Sequence, residues 1–252
     1  MGGELISELV GNENPPSSAD YLFRSHNVIA ELKALEADSF GEGFKRKLGD
    51  RMADWHGEGR LRVYGTVRID SKRLSPDCQR DMFDLLTAPL QTRVVSAANR
   101  QIESTKEILG LHKAKGLLWV ASDGNVDLQP ETVWYPLRRI LQKKRENGER
   151  QYSNIHGVAY FSPRMMVEMP QAKTPALFWF SGPRQNDDQE MRSLLSLLCD
   201  AWPQYVAWAQ GVQVRMVAGK AVTPKNLRFM GVPPRIPNVQ VGDPYRERSV
   251  KK

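Results

Sequence analysis

The chain has 252 residues, a formal net charge of +7 at neutral pH, a pI near 9.4 and a mean hydropathy of −0.50. That length can bury a full core, and no apolar run approaches the roughly eighteen residues of a membrane-crossing helix. Cys78 and Cys199 stand alone and far apart, which points away from a disulfide framework or a structural zinc site. The basic balance has the sign a phosphate backbone attracts.

In chain order, Glu4–Val10 reads as one or two helical turns, with Glu4 and Glu8 stacked at i, i+4. Gly11–Ser18 follows, and its Pro15-Pro16 pair cannot donate ladder hydrogen bonds. Two strand-like runs then flank Arg24-Ser25-His26-Asn27, the pattern of a hairpin. Pairing Phe23 with Val28 sets Asp20 opposite Glu31, with Cβ atoms about 4.5–5.5 Å apart. Alternation puts Lys33 on the same face. The run Val28–Leu35 is apolar on both faces apart from Glu31 and Lys33, as in a buried central strand.

Further along, Phe40, Phe44, Leu48, Met52 and Trp55 mark an amphipathic helix over 40–55. Residues 61–69 alternate as a strand with one basic face, and 76–88 read as a helix ended by Pro89. A long helix is expected over 90–109, stopped by Gly110, with Gln101 inside its apolar seam. Strands follow at 116–122, 155–161 and 176–181, and helices at 130–145 and 188–210. Trp119, Trp134, Trp179, Trp202 and Trp208 fall in these regular elements and read as core. Residues 226–252 form a proline-rich basic tail.

Two carboxylates this close raise each other's pKa, and charges are rare inside a buried strand. A hard divalent cation removes the conflict, since Mg²⁺ takes oxygen ligands from one or two carboxylates plus substrate phosphate. An adjacent ammonium could then orient water or stabilise charge developing at phosphorus.

Asp20, ten intervening residues, then Glu31-Leu32-Lys33 in an apolar strand resembles the PD-(D/E)xK nuclease superfamily, with alanine at position 19 in place of its proline. The resemblance implies a restriction-endonuclease-like α/β fold, a mixed central sheet flanked by helices. It also implies Mg²⁺-dependent phosphodiester hydrolysis, Mn²⁺ substituting, with Asp20 and Glu31 as metal ligands and Lys33 as the catalytic cation. Glu8, or alternatively Glu4, stands where such enzymes add a glutamate from the preceding helix. Gln101, with Arg100 or Lys106 beside it, is a candidate phosphate or water contact from the long helix.

The expected organisation is one nuclease-like domain over 1–225, with core segments 1–35 and 90–165, an insertion at 36–88 and an extension at 166–225. The helix at 90–109 would serve as crossover between the Glu31 strand and the strand 117–122. The expected activity is that of a DNA endonuclease in the cytoplasm, with no membrane partner, acting as a homodimer or in a larger nucleoprotein complex. The alternative is a non-catalytic nucleic-acid-binding or assembly subunit that keeps the fold.

Overall fold

The computed structural model describes residues 2–11, 17–35, 42–62, 65–67, 74–122, 130–168, 176–211, 228–229 and 239–241. The alternation expected over 61–69 therefore lies partly, and the proline-rich tail mostly, outside the described residues.

The N-terminal run begins as a strand. β1 (Gly3–Leu5) pairs antiparallel with β2 (Tyr21–Phe23), Glu4 lying opposite Leu22, and helix α1 starts only afterwards (Ile6–Val10). The helix expected from residue 4 is shortened because the backbone of residues 3–5 finds ladder partners on β2. β2 pairs antiparallel with β3 (Val28–Ala34), Tyr21 opposite Ala30 and Phe23 opposite Val28. This is the register anticipated from sequence. A 3₁₀ turn over Arg24–His26 makes the connection, closed by Asn27 in the left-handed region (φ 48°). Asparagine tolerates that conformation better than most residues with a Cβ.

The chain divides into two compact units, Met1–Glu36 with Leu90–Val232, and Ala37–Pro89 with Pro233–Lys252. The second unit holds α2 (Glu42–Gly57), β4 (Gly65–Val67), α3 (Pro76–Pro89) and a late strand pairing with β4. Its buried centre is Leu48, Met52, Trp55 and Cys78, and Trp55 Nε1 donates to Asp81 Oδ2 at 3.0 Å.

In the first unit the expected long helix is a π-helical stretch over Leu90–Ser96 followed by α4 (Ala97–Ile108). Pro89, which has no N–H, precedes the widened turns and removes one of the bonds that would keep the α-helical ladder regular. Strand β5 (Lys115–Ala121) runs parallel to β3, with Glu31 opposite Leu118 and Lys33 opposite Val120. Helix α5 spans Pro130–Leu141, and β6 (Gly157–Glu168) lies parallel to β5. β7 (Ala176–Pro183) is antiparallel to β6, with a register shift between Phe161 and Met166. Helix α6 covers Gln189–Gln210. β8 (Arg228–Phe229) adds to β6, and β9 (Val239–Val241) is the late strand on β4. The result is an α/β architecture with a mixed sheet in the order β1-β2-β3-β5-β6-β7.

Parallel register and alternation assign the two faces of this sheet. Phe23, Val28, Ala30, Leu117 and Ala159 pack against Met191, Leu194, Leu195 and Leu198 of α6. Phe161 stacks on Trp179 (centroids 5.2 Å apart) and meets Trp202 edge-on (4.4 Å) toward the same helix. Ile29, Glu31 and Lys33 point to the opposite face, which α4 covers.

Two glycines set how closely the layers approach. A Cβ on Gly116 would lie 2.0 Å from the Asn154 carbonyl oxygen and 2.8 Å from Ile102 Cγ2 on α4. One on Gly157 would lie 2.5 Å from Met191 Sδ on α6. Among the described residues no helix is long and apolar enough to cross a membrane, and both cysteines are free.

Candidate active site

Asp20 lies where β2 leaves the ladder. Its N–H donates to the Ala30 carbonyl (3.2 Å), and its own carbonyl accepts from the Ile6 N–H (2.9 Å). Its carboxylate takes over a ladder position, Oδ2 accepting from the Leu32 N–H at 2.7 Å. That bond locks the side chain against β3, one residue beyond Glu31.

Glu31 is only 1 % exposed. Its Oε1 is 2.6 Å from Lys33 Nζ, while Oε2 is buried with no hydrogen-bond partner. Burial is the main force on this carboxyl and pushes its pKa up to about 7. Lys33 acts in the other direction, while the Asp20 charge and a hydrogen bond between Asp20 and the protonated carboxyl push it further up. Glu31 and Asp20 therefore share one face and one electrostatic problem, as the expected pairing requires.

Lys33 Nζ donates a second bond to Gln101 Oε1 at 2.6 Å. Gln101 Nε2 in turn donates to the Ser18 carbonyl at 3.2 Å. One turn further along α4, the fully buried Thr105 accepts from the Ala19 N–H (2.7 Å) and donates to the Gln101 carbonyl (2.8 Å). α4 thus holds both the lysine and the segment leading into Asp20. Sequence reasoning placed Gln101 near the site but missed Thr105. The signal was its spacing, since Gln101 and Thr105 are polar residues four apart in one apolar seam.

The remaining candidates lie elsewhere. Glu8 is exposed on α1, and Glu4 sits on β1 in an ion pair with Arg24 at 2.7 Å. Arg100 is exposed on α4. Lys106 is buried, with Nζ donating to Asn154 Oδ1 at 2.9 Å and burial pulling its pKa below the usual lysine range. Among the described residues no group of three or more His, Cys, Asp and Glu side chains gathers to form a ligand cluster.

The arrangement fits a hard divalent cation on two counts. Its donors are carboxylate oxygens, and one of them, Glu31 Oε2, is buried and lacks any donor when ionised. A buried polar atom left unsatisfied costs about 1–3 kcal/mol, and more when charged, so a cation would relieve a real penalty. No family model, curated protein or solved structure matches the chain.

Proposed function

We propose that the protein is a Mg²⁺-dependent nuclease that hydrolyses phosphodiester bonds in DNA, with Mn²⁺ able to substitute. The observation that carries this reading is the Glu31 carboxylate, buried, ion-paired on one oxygen by Lys33 and without a donor for the other when ionised, beside Asp20. Asp20 and Glu31 would hold the metal, leaving other positions to water and substrate phosphate. The bound ion would supply Lewis acidity at the phosphoryl oxygen and lower the pKa of a coordinated water.

The chain's own groups divide the remaining work. Glu31 must lose its proton to act as a ligand, and Lys33 Nζ favours that loss from 2.6 Å away. Lys33 also brings a positive charge to the face where negative charge would build on the phosphoryl group. Gln101 Oε1 holds that ammonium in place, and the Leu32 N–H holds Asp20. A fixed ammonium stabilises developing charge without reorganising during the reaction. The net charge of +7 favours association with a polyanion in the cytoplasm.

The test is cleavage of supercoiled plasmid and branched DNA with and without Mg²⁺ or Mn²⁺, read beside thermal shifts. Metal-dependent cleavage lost in Asp20→Asn supports the reading. Absence of both cleavage and metal-linked stabilisation would leave a nucleic-acid-binding subunit with an idle acidic pair.

A further inference from the structure

A second polar site lies at the opposite end of the parallel strands. Lys115 opens β5 opposite Val28, five positions before Val120, the partner of Lys33. At about 3.3 Å per residue that separates it from the Lys33 level by roughly 17 Å. Here Lys115, His156 and Arg184 join Arg150, Asp188 and Glu190 around a pocket of about 460 Å³, and every lining side chain is polar or charged. That volume is in the range of small-ligand pockets.

Lys115 is matched by two carboxylates, and a third, Asp187, also lines the pocket without an ion pair among the described residues. Lys115 Nζ is 2.8 Å from Asp188 and 2.7 Å from Glu190. Asp188 also caps α6 by accepting from the Met191 N–H at 3.0 Å. The two arginines differ. Arg184 is anchored by Nη1, which donates to the Tyr152 and Ile155 carbonyls, and by its backbone N–H on the His156 carbonyl. Its Nη2 is buried and has no acceptor. Among the described residues neither Arg184 nor Arg150 forms an ion pair with a carboxylate. Burial, and then the like charge of Arg150, draw the Arg184 pKa down to about 10. Two arginines without a carboxylate partner therefore line one cavity free of apolar side chains, and the backbone carbonyls of Tyr152 and Ile155 immobilise one of them. Guanidinium presents paired N–H donors that match phosphate oxygens, and an anion between the two would remove their repulsion.

We infer that this pocket binds a phosphate group through the guanidinium groups of Arg184 and Arg150, at a site separate from the Asp20–Glu31 centre. The group belongs either to the end of a nucleic-acid strand or to a free small phosphate. The inference does not depend on the nuclease reading.

The experiment is calorimetric titration of the full-length protein with inorganic phosphate, pyrophosphate, and a trinucleotide bearing a 5′-phosphate or a 5′-hydroxyl. Saturable binding of at least one phosphate is expected, weakened about tenfold in Arg150→Gln, the effect of one charge-assisted bond. Arg150 is exposed, so this variant should keep the fold, checked by its thermal midpoint. Arg184→Lys keeps the charge but loses the planar fork and should also weaken binding. Asp20→Asn should bind phosphate as wild type does, which separates this site from the metal centre. Preference for the 5′-phosphorylated over the 5′-hydroxyl trinucleotide assigns a strand end, and preference for the inorganic anions assigns a free phosphate. No saturable binding by any phosphate, or unchanged affinity in Arg150→Gln, overturns the inference.

Discussion

Lys33 and Gln101, 68 positions apart in sequence, meet at 2.6 Å between Nζ and Oε1. The amide bridges the ammonium to the Ser18 carbonyl, so one side chain of α4 spans from β3 to the segment entering Asp20. Gln101→Ala should therefore leave metal-linked stabilisation near wild type while cleavage falls on the order of 10- to 100-fold, the effect of a misplaced catalytic group. Measuring kcat and KM separately checks this, with the loss expected in kcat. An equal loss of metal binding would show that Gln101 supports the carboxylates instead.

Lys33→Ala removes the cation nearest Glu31, so the carboxyl should titrate at a still higher pH and hold its proton at neutrality. Cleavage should drop by about a hundredfold or more, as expected when one preorganised charge-stabilising group is lost. Infrared or NMR titration of the Glu31 carboxyl gives the pKa directly. Wild-type cleavage by Lys33→Ala would remove Lys33 from the site.

The raised pKa of Glu31 has a defined sign for stability. The folded state binds this proton more tightly than the unfolded chain, so the contribution is fully present below about 4.5 and lost as pH rises through about 7. Without metal, Glu31→Gln should gain on wild type across that window and reach a plateau of roughly 3 kcal/mol above it. Saturating Mg²⁺ should erase the wild-type slope by binding the ionised form. Parallel pH-dependent denaturation curves with chelator and with Mg²⁺ test it. A wild-type-minus-variant difference that stays flat with pH would place the titrating group elsewhere.

Asp20→Asn retains an oxygen for the Leu32 N–H while removing the charge. The fold should persist and the Glu31 pKa should fall toward the ordinary carboxylate range, because the Asp20 charge is one of the forces raising it. Metal-linked stabilisation should disappear. Unfolding of this variant, or an unchanged metal shift, counts against Asp20 as a ligand.

Gly116→Ala should destabilise the protein by about 1–3 kcal/mol, because its new methyl meets a backbone carbonyl and a packed isoleucine. Gly43→Ala, exposed on α2 with nothing within 4 Å of the added carbon, should be neutral or stabilising by up to about 1 kcal/mol. Chemical denaturation of both variants gives the comparison, and equal effects would contradict the packing argument.

The sequence by itself determined the hairpin register and the shared face of Asp20, Glu31 and Lys33. Both follow from local rules, the two-residue period of a strand and the pairing across one short turn. It also marked Gln101, whose amide interrupts an apolar seam. Only the tertiary structure decided what those residues experience. Glu31 becomes a proton-holding carboxyl because β5 on one side and α4 above exclude water from it. Lys33 acquires its second acceptor, and Asp20 its fixed entry, because α4 folds back across 68 and 86 positions of chain to meet them. β1 pairs with β2 and so moves Glu4 off the helix, a choice made by hydrogen-bond partners rather than by local propensity. The Arg150–Arg184 pocket is partly of this second kind. Six of its nine lining residues fall within 184–190, between the end of β7 and the first turn of α6, and only the fold adds Lys115, Arg150 and His156 to them.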